Sequence, residues 1–343
     1  MAYVPNPADP THPTTQDLAG NMAYEFQALK GYLQSLISSG TNFYNLGTFR
    51  NRLKNGAFNI FNRFGPITCA AGTATYTIDQ WRVKPTGGTV SANQVFGAPN
   101  KSNWALALTP NTGTTSFLLA SFVMASFSQD MVVGSSVTVS GIYNPNGTGV
   151  LPSVALYTPP GGPNSWNSGA SVTGASQVIN VQNPEFITVP GSWIYFSNTF
   201  TLSQDSTYGL KLEFSFTGPT VGTVISLNNI QLEKSLYPTP FEVRPVQADQ
   251  FLCYEQFIIG LGVISGYAGA GGQLINVNCP YPTPMSMAAG IINVTITGGV
   301  NCPNLANVAE QSYQQMLFDV AATAAGYVGF NYSYNVSAEI LTA

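Results

Sequence analysis

The sequence predicts a mainly β protein: an N-terminal extended arm and a coiled-coil helix, then a large β-sandwich body and a smaller C-terminal β tip. Short apolar runs broken by Gly, Pro, Asn and Ser fill the chain after residue 55, with no helical spacing between them. Ahead of them, a proline-rich start leads into an apolar heptad seam. Charged residues make up only 8% of the 343, while 44% are hydrophobic; an ordinary soluble domain carries roughly 25% charge. No run of about 18 apolar residues occurs, so no spanning helix is expected. Aromatic and β-branched residues are too frequent for disorder. What fits is a β-rich protein surfaced by Asn, Gln, Ser and Thr, with part of its apolar surface covered between subunits.

The length suits two or three domains. Residues 1–14 hold Pro5, Pro7, Pro10 and Pro13, which lack an N–H and fix φ, so this piece is extended rather than helical. It is either a disordered terminus or an arm laid on a partner. A helix is predicted from Thr15 to Ser38, capped by Thr14 or Thr15, with Asp17 at its positive dipole end. Ala19, Met22, Phe26, Leu29, Leu33 and Leu36 recur at steps of 3 and 4 and form a narrow seam. A helix this short is marginal alone in water. A parallel homotrimer is the expected arrangement, a dimer the alternative. The arm and helix occupy residues 1–40, a linker 41–54, the sandwich 55–250 and the tip 251–343.

Strands of the body are predicted at Ala74–Val83, Trp104–Thr109, Thr115–Phe122, Ser136–Tyr143, Ser153–Tyr157, Glu185–Val189, Ile194–Leu202, Tyr208–Phe216 and Thr223–Leu232. Turn chemistry such as Pro145-Asn146-Gly147 and Gly218-Pro219 divides them. In the tip, strands are predicted at Gln273–Cys279, Ile291–Thr297, Gln314–Val320, Gly326–Tyr334 and Val336–Leu341, and Gly266 to Gly272 reads as a flexible loop. The segments Asn55–Trp81 and Gln231–Phe257 read as the opening and closing strands of the body.

The formal net charge is −4, so no basic field exists to attract nucleic acid or an anionic membrane. The opening MAYVPNPADP lacks a positive and an apolar region, so no signal peptide is expected. The cysteines are Cys69, Cys253, Cys279 and Cys302; none has CxxC spacing and His12 is the only imidazole, so no zinc site is expected. Four buried free thiols is the favoured reading and a Cys279–Cys302 bridge the alternative. No cofactor is expected. Glycan cleavage needs two neighbouring carboxylates, but Asp79, Glu185, Asp205, Glu213, Glu233 and Glu242 are scattered. Glu233 and Glu242 are expected to orient backbone or to pair with Arg244. A Ser-His-Asp triad would need His12, in the proline arm.

Beyond Arg244 the sequence has no Lys or Arg, so a saccharide held by the tip must be held by aromatic faces, amides and hydroxyls. Trp81 and Trp193 read as core, and Trp104 is ambiguous. Trp166 lies in the loop PPGGPNSWNSGAS between Asn164 and Asn167, with nothing local to bury it; it would stack on a sugar or seal a subunit interface. Tyr267, Tyr281 and Tyr327, with Tyr313, Tyr332 and Tyr334, are candidates for a sugar-binding surface, half of them expected between subunits.

Several of these segments, in this order, resemble bacteriophage tail-fibre and receptor-binding proteins. Residues 8–33, ADPTHPTTQDLAGNMAYEFQALKGYL, resemble a virion-anchoring N-terminus. Asn55-Gly56-Ala57-Phe58 and Asp79-Gln80-Trp81 match an NGxF and a DxW segment, with Gln80 where Arg is commoner. VPGSWIYFSNTFTL (189–202), QLEKSLYPTPFEVRP (231–245) and FLCYEQF (251–257) match the later part of such a body. In the tip, NCPYPTPM (278–285) and SAEIL (337–341) stand in the expected places, without the usual Arg after Met285. The resemblance implies a jelly-roll body similar to carbohydrate-binding modules, followed by a small β-sandwich tip. It implies a non-enzymatic, homotrimeric structural protein of the virion, in the phage tail or another external appendage, made in the host cytoplasm. Pro5, Pro7, Pro10 and Pro13 would dock on an adaptor, nozzle or baseplate protein of the tail, and the tip would contact host cell-surface polysaccharide. A capsid-attached head fibre or decoration protein, a glycan-degrading tailspike and a secreted lectin are the alternatives.

Overall fold

The computed structural model describes residues 50–63, 65–99, 103–146, 150–166, 170–182, 193–282, 285, 291–302, 305–312 and 314–338. The proline arm and the seam from Ala19 to Leu36 lie outside the described residues, as do Asn167, Tyr313 and the strand predicted at Glu185–Val189. The described chain is mainly β, built as two sandwiches. None of its helices is long and apolar enough to cross a membrane.

The body opens with β1 (Ile67–Cys69), β2 (Thr75–Tyr76), β3 (Trp81–Thr86), β4 (Val90–Phe96), β5 (Trp104–Pro110) and β6 (Ser116–Val123), followed by the helical turn α1 (Ala125–Ser128). It continues with β7 (Ser136–Asn144), β8 (Ser153–Thr158), β9 (Ser171–Val178), β10 (Val181–Gln182), β11 (Ile194–Thr201), β12 (Leu210–Thr217) and β13 (Ile225–Glu233). One sheet runs β1-β4-β5-β13-β7-β11-β10 and the other β2-β3-β6-β12-β8-β9. Their central strands, β5-β13-β7-β11 and β6-β12-β8-β9, alternate between sheets along the chain except at β8–β9, which is jelly-roll winding. Trp81, Phe117, Phe196, Phe214 and Phe216 fill the space between the sheets.

The helix α2 (Val246–Tyr254) leads into the tip, which comprises β14 (Phe257–Ala268), β15 (Leu274–Pro280), β16 (Ile291–Val300), β17 (Leu305–Ser312), β18 (Gln315–Ala321) and β19 (Gly326–Ser337). Its two sheets run β14-β19-β16 and β15-β18-β17, with Phe318, Phe330, Met316 and Val336 buried in the core. Tyr332 and Tyr334 also face this core, their rings lying across Gly262 and Gly260 on the neighbouring strand. A Cβ at either glycine would stand 2.3 Å from ring carbon Cζ.

Several predicted elements are corrected. Ala74–Val83 is not one strand, because Asp79-Gln80 makes a turn with Gln80 at φ +74° between β2 and β3. Gly266, Tyr267 and Ala268 are the end of β14 rather than a loop, and Gly326–Tyr334 and the start of Val336–Leu341 form the single strand β19. The expected opening strand at Asn55 is an irregular segment. It runs against β13, whose register slips between Asn228 and Gln231 around Asn229 at φ +51°. Gly56 O accepts the Ile230 N–H at 2.9 Å, and Asn51 Nδ2 donates to Ile230 O at 3.0 Å. The bulge is thereby satisfied from the N-terminal side of the domain. All four cysteines are buried and free, so the Cys279–Cys302 bridge is absent. Burial holds the Cys69 thiol at about 12, far from thiolate chemistry.

Candidate functional site

The paired motifs meet and serve structure. Asn55 Nδ2 donates to Ile60 O at 2.8 Å and Asp79 O at 3.0 Å, and its Oδ1 accepts the Ile60 N–H at 2.9 Å. Trp81 Nε1 donates to Asn55 O at 3.2 Å, and its ring packs 5.1 Å from that of Phe58. Gln80 Nε2 reaches Cys253 O on α2 at 3.3 Å. Glu233 accepts from Thr239 N and Oγ1 at 2.8 and 2.7 Å, while Glu242 accepts the Asn51 N–H at 2.7 Å and stands 3.7 Å from Arg244. Both acids therefore orient backbone, and Glu242 pairs with Arg244. Asp205 accepts the Val133 N–H at 2.6 Å and Glu213 pairs with Lys211 at 3.1 Å. Each of these carboxylates has its own local partners.

Asp79 is fully buried: its Oδ2 accepts the Asn62 N–H at 2.9 Å, and Arg63 Nε lies 3.6 Å from its Oδ1. Burial raises its carboxyl from the ordinary 3.8 to about 6, against the pull of Arg63 and Asn62. Folding therefore takes up a proton between those values, and this group's contribution to stability is lost as pH rises from about 4 through about 6. Asp79→Asn should flatten the Tm profile over that window without lowering stability at pH 7; an unchanged slope would contradict it.

The expected saccharide aromatics divide. Trp166 is 1% exposed, not a surface ring. Asn164 pins its loop, donating its N–H to Tyr208 O at 2.7 Å and accepting the Ala125 N–H through Oδ1 at 2.8 Å. That folds Trp166 edge-on against Phe122, 5.0 Å between centroids, and beside Met124. Tyr281 is likewise buried, in the tip core. Trp193 is half-buried rather than core. Tyr267 and Tyr327 remain, 77% and 58% exposed, and face each other directly across β14 and β19.

These two tyrosines end an outward sheet face that sequence reasoning missed. Its cross-strand rows are Ile259–Asn335–Asn293, Leu261–Ser333–Thr295, Val263–Asn331–Thr297 and Tyr267–Tyr327. Leu261 and Val263 are 81% and 73% exposed, and Asn293, Thr295, Thr297 and Asn331 are also exposed. The face carries no charge. From Ile259 to Tyr267 it spans about 26 Å at about 3.3 Å per residue. At its root it meets the body, where Arg63 lies 3.8 Å over the Phe257 ring and 5.8 Å from that of Tyr76. A second aromatic ledge lies on the body, where exposed Phe96 meets half-buried Trp104 edge-on at 5.4 Å. Among the described residues no cluster of His, Cys, Asp and Glu could hold a metal ion.

The fold and these faces define a two-sandwich β protein with an uncharged, aromatic-ended tip surface. No family model and no curated protein sequence matches the chain. Among solved structures, the enzymatically active domain of bacteriophage CBA120 tailspike protein 4 is similar at 13% identity and a TM-score of 0.33, over 54% of this chain and 21% of that one. This chain thus spans about a fifth of that structure's length. A protein from Bacteroides thetaiotaomicron described as sugar-binding shares 11% identity, TM-score 0.32, over 54% of this chain and all of that one. The CBM22-1 xylan-binding domain of Paenibacillus barcinonensis Xyn10C shares 14% identity, TM-score 0.28, over 49% and 92%. Likeness at this level leaves the function to be read from the chain's own residues.

Proposed function

We propose that this chain is a non-catalytic virion fibre protein that trimerises and docks through residues 1–40 and contacts host-surface saccharide through its tip. The observation that carries the saccharide contact is the outward face of the β14-β19-β16 sheet. A sugar ring offers an apolar face and a rim of hydroxyls. Tyr267 and Tyr327 offer exposed rings, and the Asn and Thr rows offer donors and acceptors in register. The absence of Lys and Arg after Arg244 suits a neutral ligand over most of this face. The N-terminal resemblance supports the virion anchor. Three copies would add weak contacts into avidity.

The double variant Tyr267→Ala, Tyr327→Ala tests the contact. Both rings are exposed, so its Tm should stay within about 2 °C of the parent. Binding of the assembled chain to purified host-surface polysaccharide should fall about a hundredfold, because a loss in each copy multiplies. Undiminished binding would remove the face from the reading. In light scattering the full chain should weigh three times 36.4 kDa; a single chain mass would remove the trimer.

A further inference from the structure

The outward face of the β14-β19-β16 sheet is apolar along one strand and polar along the other two. On the edge strand β14, Leu261 and Val263 are 81% and 73% exposed. Opposite them stand Ser333 and Thr295 in one row, and Asn331 and Thr297 in the next. Beyond these rows Tyr327 lies along its own strand: a Cβ at Gly329 would stand 2.8 Å from Tyr327 Oη and 3.0 Å from its Cε1. The ring therefore covers Gly329 and makes a platform between Ser265 on β14 and Val300 on β16. An aliphatic side chain beside such a platform neither donates to a sugar hydroxyl nor accepts from one. A hydroxyl pressed against it loses water without gaining a partner, whereas a methyl group there gains from burial. A contact between subunits needs about 800 Å² per partner around an apolar centre. A stripe one strand wide, about 5 Å by about 26 Å, is too narrow to supply that centre.

We propose that this face selects a neutral saccharide with methyl groups along one edge, the methyl of a deoxy sugar or of an acetyl group, and that Leu261 and Val263 read the methyl. The proposal rests on the saccharide reading above and names the sugar class within it. A ring stacked on Tyr327 leads the chain along the strands. The next unit then has one edge toward Val263 and Leu261 and the other toward the amides and hydroxyls of β19 and β16. Two sugars that differ only by methyl against hydroxymethyl are separated at the β14 side, where the extra oxygen would meet only carbon.

Saturation-transfer NMR titrations on the full chain test this with three matched pairs: D-fucose against D-galactose, L-rhamnose against L-mannose, and N-acetyl-D-glucosamine against N-formyl-D-glucosamine. In at least one pair the methyl-bearing member should bind about fourfold more tightly, the gain expected from one buried methyl. The first two pairs report a deoxy methyl and the third an acetyl methyl. Parity in all three, or tighter binding of the methyl-free members, would overturn the proposal. These comparisons need no variant. The double variant Leu261→Thr, Val263→Thr keeps strand propensity and puts hydroxyls in the stripe. Both side chains are exposed, so its Tm should stay within about 2 °C of the parent. Its binding of the methyl-free member should hold while the preference falls below about twofold; an unaltered preference would also overturn the proposal. If the parent chain binds host-surface polysaccharide without any methyl preference, this inference alone falls. If it binds neither the sugars nor the polysaccharide, the saccharide reading falls with it.

Discussion

Arg244→Met should cost the body about 3–5 kcal/mol at pH 7, the loss expected when one member of a buried ion pair is removed. Arg244 is buried where the closing segment crosses the opening one. Its Nη1 donates to Leu53 O at 2.8 Å and to Asp249 Oδ1 at 3.1 Å, and its Nη2 donates to Asn51 O. The substitution takes hydrogen bonds from two carbonyls and leaves the buried Asp249 carboxylate without its counter-charge. Burial already raises the Asp249 carboxyl above its ordinary value against the pull of Arg244. Without the guanidinium it rises further, so the variant should regain stability as the pH is lowered and the acid takes up its proton. Adding Asp249→Asn should recover part of the loss at pH 7. Urea unfolding followed through the buried Trp81 and Trp166 measures both; a cost under about 1 kcal/mol, set against a total of about 5–15 kcal/mol, would sink the account.

The strands that the sequence showed clearly are those with strong apolar content and clean turns at both ends. β5, β7, β11 and β13 fall within two residues of their predicted bounds. β14 was hidden by Gly260, Gly262 and Gly266, which weaken strand propensity. Two of those glycines make room for Tyr334 and Tyr332, a requirement that exists only once β14 and β19 are paired. β4 is masked by its weakly apolar run, Ser91 to Gln94, which pairs with β5 throughout and with β1 only as far as Ala92. The split of Ala74–Val83 turns on Gln80, whose left-handed φ no apolar pattern reveals.

The site was legible only in part. Nothing in the spacing of exposed Tyr267 and Tyr327, sixty residues apart, marks them as direct cross-strand neighbours. The loop of Trp166 is rich in Gly, Pro and Asn and reads as exposed, while its burial comes from Phe122 and Met124, about forty residues earlier. Asn62 and Arg63 carry no motif. They serve the buried Asp79, and Arg63 meets the Phe257 ring only when the body packs against the tip. An alternating face such as Leu261, Val263, Ser265 and Tyr267 would have been a usable signal had β14 been read as a strand.

Gly56→Ala should be as damaging as the loss of Arg244, although it adds one methyl group. A Cβ at this position would stand 2.1 Å from Ile230 O and 2.9 Å from Asn51 Nδ2. The first contact is with backbone, so no side chain can swing away from it. The Ile230 carbonyl is itself fixed, accepting from Asn51 Nδ2, while the adjoining N–H donates to Gly56 O. Relief requires residues 51–58 to lift from β13. That withdraws the Arg52 N–H from Leu232 O at 2.8 Å and Asn51 Oδ1 from the Leu232 N–H at 3.0 Å. Overpacking alone costs about 1–3 kcal/mol, and each stranded buried polar group adds about 1–3 kcal/mol, so a loss of about 3–6 kcal/mol is expected. The same change at Gly65, where an added Cβ meets nothing within 4 Å, is the control. Its φ of +92° makes it mildly costly for backbone reasons only. If the two variants unfold at the same urea concentration, the contact between the opening segment and the β13 bulge is not what holds the body closed. If Gly56→Ala alone falls, and amide exchange rises first at Ile230 and Leu232, the NGxF segment is the clasp of the sandwich and its glycine is there for space.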